Sequence, residues 1–375
     1  MLLKMLVPDK QKGVLHHVEP RPSEKGRAAF VIEGTTNHPL FEGYSLRSSI
    51  HEYGGAPAAA FNEYIVFTDA ADKRVFLVKD EVVKPLTLAS KIHRYGDFAI
   101  HPSLEYVVCI QESHFEDGSV VNKLVCISLT SESDVEPIVL AFGKDFYTAP
   151  RFSASGNNLA WIEWNLPAMP WTQSSLHLAE FNVESGLLLS PRAIASGSFS
   201  VSQPRWSPKT NELYFASDES GYYNLYRYNI STTTTTPLLK SPHIGDFSFP
   251  DWVLGQQTYD FLPNGNVIAG HANKDGTSSI SLLNPESQEQ STLVSGQSVI
   301  ALTTIKERVF IVAGTPVTPI ALSQVVLNDS FDKVVTVKEI RSTTEGLKGL
   351  DPEKWISVAE SIEFPTDNGL TAFGY

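Results

Sequence analysis

"SVSQPRWSPKTNELYFASDESGYYNLYRY", Ser200 to Tyr228, decides the fold. A polar lead-in runs into a short strand and a turn. An apolar strand, a Gly-containing loop and a second apolar strand follow, each too short and too alternating for a helix. Outward from it the same order of pieces returns. It is present in "EYGGAPAAAFNEYIVFTDAADKRVFLV" (Glu52 to Val78), in Arg94 to Leu129 and in Phe146 to Phe181, and in weaker form in Asp246 to Leu283 and from Gln297 to Gly314. A period of roughly 40 to 55 residues fits four-stranded propeller blades. No sustained 3.6-residue apolar stripe interrupts the pattern, so the spacing predicts an all-β chain. The six copies predict a six-bladed β-propeller, with seven blades as the alternative, over residues 1–345 including an N-terminal segment. Residues 346–375 then form a tail, in which Ile362 and Phe364 face Leu370, Ala372 and Tyr375 across Thr366-Asp367-Asn368-Gly369 as a β-hairpin.

The chain has 375 residues, 42% of them hydrophobic and 19% charged, enough for a large core. Its formal net charge of -13 repels phosphate backbones, which argues against nucleic acid and anionic membranes as partners. No apolar run is long enough to span a bilayer, and Lys4 and Pro8 break up the N-terminal one, so a cytoplasmic location is expected. The two cysteines, Cys109 and Cys126, exclude a disulfide scaffold. An Asp117-Gly118 two-residue turn would set them opposite each other as reduced, packed thiols, unless a one-residue bulge shifts the register. The ten histidines lack His-x-His and His-Glu-x-x-His spacing, and neither a metal nor a cofactor is expected.

Four stretches carry a family resemblance: "HEYGG" (His51 to Gly55), "PRFSASGNNLAWIEWNLPAMPW" (Pro150 to Trp171), "PRWSPKTNELYFASDESGYYNLY" (Pro204 to Tyr226) and "FPDWVLGQ" (Phe249 to Gln256). The chain resembles the β-propeller domain of the prolyl oligopeptidase superfamily, in its acylaminoacyl-peptidase and dipeptidyl-peptidase-like branch. The resemblance implies that an α/β-hydrolase domain would follow the propeller, entered through a hairpin like Ser361 to Tyr375. That domain is lacking in these residues, which also contain no Gly-x-Ser-x-Gly nucleophile elbow. As written, the chain is not expected to hydrolyse peptides.

On a propeller, loops entering the innermost strands share a face with loops joining second and third strands. This gathers His51-Glu52-Tyr53, Tyr95-Asp97, Phe146-Tyr147, Ser202-Gln203 and Phe247-Phe249 with His114-Phe115, Asn165 to Trp171 and Tyr222-Tyr223. The expected ligand-binding funnel and rim is Glu52, Tyr53, Tyr95, Asp97, Tyr147, Arg151, Trp164, Trp171, Arg205, Tyr223 and Asp251. Arg151, Arg205 and Asp251 hold equivalent places in successive blades and read either as a buried clamp or as ligand contacts; Glu52 either braces its turn or faces the funnel. Trp161, Trp206 and Trp252 read as fillers between blades. Exposed apolar residues at Ile362, Phe364 and Phe373 lead us to expect the tail to fold back along the propeller.

Three functions fit. The first is a stand-alone, non-hydrolytic propeller that binds a small apolar molecule or peptide in its funnel, recruited to biosynthesis as a binder or as a catalyst of cyclisation or rearrangement. The second is the propeller of a truncated or split serine exopeptidase. The third is a platform on which a separate protein docks.

Overall fold

A computed structural model describes residues 5–131, 134–342 and 352–374. Seven antiparallel sheets stand in chain order. They are blade 1 (5–32), blade 2 (58–85), blade 3 (93–141), blade 4 (146–195), blade 5 (201–237), blade 6 (259–295) and blade 7 (298–342). Blade 1 has three strands and the others have four. The chain is a seven-bladed propeller, so the second of the two blade counts holds. The six repeats are blades 2 to 7. The seventh sheet is the N-terminal segment, whose middle strand Val14–Arg21 buries His16, His17 and Glu19 and so lacks an apolar signature.

Among the described residues each blade pairs only its own consecutive strands, and no strand is exchanged between the two ends of the ring. Side chains close it instead. Leu15 of blade 1 packs with Ala301, Phe310, Val312 and Leu322 of blade 7. Arg308 of blade 7 pairs with Glu33 at 2.9 Å and donates to the Gly13 carbonyl. Arg341 reaches the fully buried Glu19 at 3.1 Å. Burial alone would raise the Glu19 pKa, but the His17 ring 3.5 Å away and the hydrogen bonds from Arg341 hold it down at about 2.

The innermost strands of blades 3, 4 and 5 share a device. Each carries a bulge, between Gly96 and Ala99, Thr148 and Arg151, and Ser202 and Arg205. In each bulge one residue takes a left-handed backbone: Asp97 at φ 55°, Ala149 at 54° and Gln203 at 52°. In blades 3 and 5 the bulge side chain stitches its blade to the next, whereas Ala149 in blade 4 has none to do so. Asp97 accepts from the Ala149 amide at 2.6 Å, and Gln203 accepts from the Thr258 amide at 2.8 Å. Asp260 in blade 6 serves Thr304 of blade 7 in the same way at 2.8 Å.

The two cysteines do not face each other. Cys109 pairs with Val125 and Cys126 with Val108, so the thiols lie on opposite faces of the sheet in different packing clusters. The reason is the turn: Phe115 and Ser119 close a three-residue loop with Gly118 left-handed at φ 83°, which shifts the register by one. Both thiols are free and buried. Burial pushes Cys126 up to about 12, and Cys109 well above its ordinary value.

In the tail, Ile362–Pro365 pairs with Thr371–Gly374 around a turn with Asn368 and Gly369 left-handed. The expected hairpin is present, while Tyr375 and the 345/346 boundary lie outside the described residues. The tail touches blade 6 where the Ser361 hydroxyl donates to the Asp275 carbonyl at 3.1 Å. Ile362, Phe364, Leu370 and Phe373 nevertheless stay exposed, so the apolar fold-back expected for them is not made.

Candidate functional site

The central channel has two unlike ends. On the upper face, where the loops enter the innermost strands, the "HEYGG" loop before blade 2 meets the "FPDWVLGQ" loop before blade 6. The Leu254 amide donates to the Gly54 carbonyl at 2.9 Å, and Gly55 pairs with Leu254 as a parallel bridge. Gly55 is at φ 104°, and a Cβ there would lie 2.3 Å from the Leu254 carbonyl oxygen. Only glycine fits that approach. Two blades that are not neighbours in the ring are thereby joined by a crossbar over the channel.

Beneath the crossbar the channel opens toward the other face into a chamber of about 700 Å³. Its wall is formed by the ends of the innermost strands and the turns after them. Phe61, Phe98, Phe152, Trp206 and Phe261 supply apolar surface, and Lys10, Arg151, Arg205, Lys209 and Lys306 supply positive charge against Asp97 and Asp260. Asp97 is 1% exposed and fully engaged, accepting from Arg151 at 2.9 Å and Thr148 at 3.1 Å besides the Ala149 amide. Asp260 is held by Lys10 at 2.7 Å, Gln257 and Thr303. Arg205 differs, because its buried Nε has no hydrogen-bond partner and it joins no ion pair of the described residues. Burial lowers its pKa, Asp260 opposes that, and Arg151 repels it further. Arg151 and Arg205 also border a narrow gap under the crossbar together with Asp251. Burial, then the nearby Asp97, raises the Asp251 carboxyl to about 7, with Arg151 pulling the other way.

The structure divides the expected site residues into three groups. Asp97, Arg151, Arg205 and Asp251 converge on the channel. Tyr53, Trp171 and Glu52 lie on the upper face. Tyr53, 62% exposed, stands edge-on to Trp252 at 5.4 Å, and Trp171 lies 4.3 Å from the same ring. Glu52 is exposed and pairs with Arg94 at 2.6 Å. Tyr95, Tyr147, Trp164 and Tyr223 are corrections, being buried rather than at a rim. Tyr95 accepts from Gln111 at 2.9 Å, Tyr147 accepts from the Lys144 amide at 3.1 Å, and Tyr223 shares a hydrogen bond with Ser200 at 2.7 Å. Trp164 stacks on Phe146 with ring centroids 5.0 Å apart. All four belong to strands or strand ends, where alternate side chains point between blades. Trp252 is the opposite correction: expected as a filler, it is 48% exposed on a loop. Trp206, also expected as a filler, lines the chamber, and its indole N–H donates to the Arg151 carbonyl at 2.9 Å.

Glu52, Glu112 and His114 bring their ligand atoms within 4.8 Å of one another. Arg94 already supplies a cation there, 2.6 Å from Glu52 and 3.3 Å from Glu112, and His114 lies 2.6 Å from Glu112. The cluster reads as an ion-pair network bracing the "HEYGG" turn.

Comparison with solved structures fits this architecture. Puromycin hydrolase superposes with a TM-score of 0.85 at 25% identity, over 99% of this chain and 57% of that one. The propeller is similar in fold to those of puromycin hydrolase and of prolyl oligopeptidases. A puromycin-hydrolyzing peptidase of Mycobacterium tuberculosis matches with a TM-score of 0.82 at 23% identity, again over 99% of this chain and 57% of that one. Prolyl oligopeptidase B from Galerina marginata shares the fold with a TM-score of 0.66 at 9% identity, over 99% and 54%. This chain therefore spans little more than half the length of these proteins. No family model matches the chain, and no curated protein does. Among the described residues, no helix is long and apolar enough to cross a membrane.

Proposed function

We propose that this chain is a non-hydrolytic binding propeller that takes a small, largely apolar molecule or a peptide in its central chamber. The observation that carries this reading is the chamber itself: about 700 Å³, walled by aromatic rings and capped at its inner end by the crossbar. A concave, mainly apolar cavity with a few converging polar groups is the usual form of a small-ligand site. Recruitment to biosynthesis is compatible with it, because cyclisation or rearrangement needs shape, hydrogen-bond donors and exclusion of water rather than a nucleophile. The location that suits such a role is the cytoplasm.

A second reading has its own support. Tyr53, Trp171 and Trp252 make an aromatic patch on the upper face, and the tail hairpin leaves Phe364 and Phe373 exposed. This face suits a docked protein, and the likeness to puromycin hydrolase makes a hydrolase, in the same or another chain, the first partner to test. One experiment separates the two readings. The 375-residue protein, alone, should not be labelled by a fluorophosphonate probe and should retain small molecules captured from a metabolite extract. Stoichiometric labelling of a serine would overturn the non-hydrolytic reading. An empty capture, with binding only to an added hydrolase, would favour the second.

A further inference from the structure

Arg151 and Arg205 occupy the same position in neighbouring blades, each two residues after the left-handed bulge residue. What differs is the bulge residue one blade earlier. For Arg151 it is Asp97, whose carboxylate lies 2.9 Å from the guanidinium. For Arg205 it is Ala149, which has no charge to offer. The fold therefore places a second guanidinium on the channel wall and withholds its counter-ion. The other acid nearby, Asp260, is already bound by Lys10, Gln257, Thr303 and the Thr304 amide. A half-buried guanidinium whose shielded Nε has no partner is costly, and such a group is usually kept because something else completes it.

We propose that the chamber binds a molecule with an apolar body and a carboxylate, and that Arg205 receives the carboxylate. This rests on the reading of the chamber as the binding site and adds the chemistry of its ligand. A guanidinium presents a planar pair of donors that matches a carboxylate. Trp206, Phe152 and Phe261 provide the surface for the body. A dianionic phosphate fits less well, because Lys10 and Arg151 are neutralised by Asp260 and Asp97. Lys209 and Lys306 lie farther out, in the turns after the innermost strands of blades 5 and 7. In a chain of net charge -13 they make this mouth a local attractor for anions. A free peptide C-terminus beside an apolar side chain is the simplest molecule of this class.

The test is calorimetric titration of the full chain with N-acetyl-leucyl-phenylalanine and with its C-terminal amide. The acid should bind about ten-fold or more tightly than the amide, the range expected for a charged hydrogen bond in a shielded site. Arg205→Met should abolish that preference while the protein melts no lower than before, since it removes an unpaired cation. Equal binding of acid and amide by the wild type, or a preference that survives R205M, would overturn the assignment and leave the chamber reading standing. Displacement of the acid by an equal concentration of inorganic phosphate would overturn the choice of carboxylate. If neither peptide binds at millimolar concentration, this inference falls, while metabolite capture still decides the chamber reading. The wild-type comparison decides the matter even if R205M does not fold.

Discussion

The two sides of the channel are built alike and finished differently. On the side of blades 3 and 4 the charges are paired: Asp97 holds Arg151, Thr148 and the Ala149 amide, and the Arg151 carbonyl takes the Trp206 indole. On the side of blades 5 and 6, Arg205 and Asp251 border the same gap, and among the described residues neither joins an ion pair. The backbone is the same in both places, a bulge with one left-handed residue. The difference comes from whether the bulge residue is Asp or Ala, so one side chain decides whether an arginine of the cavity wall is paired or left without a counter-ion.

Breaking the paired side should have the largest effect. Asp97→Ala leaves Arg151 unpaired and strips a buried amide of its acceptor, and a loss of about 3–5 kcal/mol is expected by chemical denaturation. R205M on the other side should cost nothing. A small effect of D97A would mean that the stitch is ornamental and that the two sides do not differ.

The comparison has to be made above pH 6.5. Burial holds His16, His51 and His271 at about 4, with the neighbouring His38 and His243 adding to the effect on His16 and His271. The folded state thus resists protons that the unfolded chain accepts below about 6.5. Stability is fully present above that pH and is lost as pH falls toward 4, by about 2–4 kcal/mol in sum once solvation is allowed for. Melting curves between pH 7.5 and 4.5 check this, and a flat profile would contradict it.

Asp251 runs the other way and sharpens the comparison. Its carboxyl is raised to about 7, so between the ordinary carboxylate range and pH 7 the folded state holds a proton that the unfolded chain has released, and stability falls as pH rises. Asp251→Asn should therefore stabilise the protein by about 1–2 kcal/mol at pH 8, a gain that fades as pH falls toward the ordinary carboxylate range, where both states come to carry the proton. A gain independent of pH would point to packing rather than charge.

The smallest effect is expected on the exposed upper face. Trp171 rests on Trp252 at the surface, so Trp171→Ala should cost less than about 1 kcal/mol and leave acid-over-amide selectivity intact. A drop of many degrees in the melting temperature would place Trp171 in the core.

Blades 2 to 7 were legible because turn residues and short apolar strands recur at a regular spacing. Blade 1 was not, since His16, His17 and Glu19 fill its interior and read as a polar strand. The cysteine register failed for a local reason: Asp-Gly signals a turn but does not tell a two-residue loop from a three-residue one ending in left-handed Gly118. Tyr95, Tyr147 and Tyr223 show the limit of assigning a face from loop order. Each stands where a strand starts or ends, and a shift of one residue turns a rim ring inward. The crossbar was invisible because it joins residues 54 and 254, although glycines in both "HEYGG" and "FPDWVLGQ" hinted that backbone must come close to something. Arg151 and Arg205 were recognised as equivalent, but their different fates depend on Asp97 and Ala149 one blade away.

The central claim is that this missing counter-ion makes Arg205 a ligand group, and a crystal structure of the full chain grown with N-acetyl-leucyl-phenylalanine tests it most directly. The account predicts the peptide in the lower chamber with its carboxylate about 3 Å from the Arg205 guanidinium and its phenyl ring against Trp206 and Phe152. A peptide seated instead on Tyr53, Trp171 and Trp252, with Arg205 turned to Asp260, would contradict it.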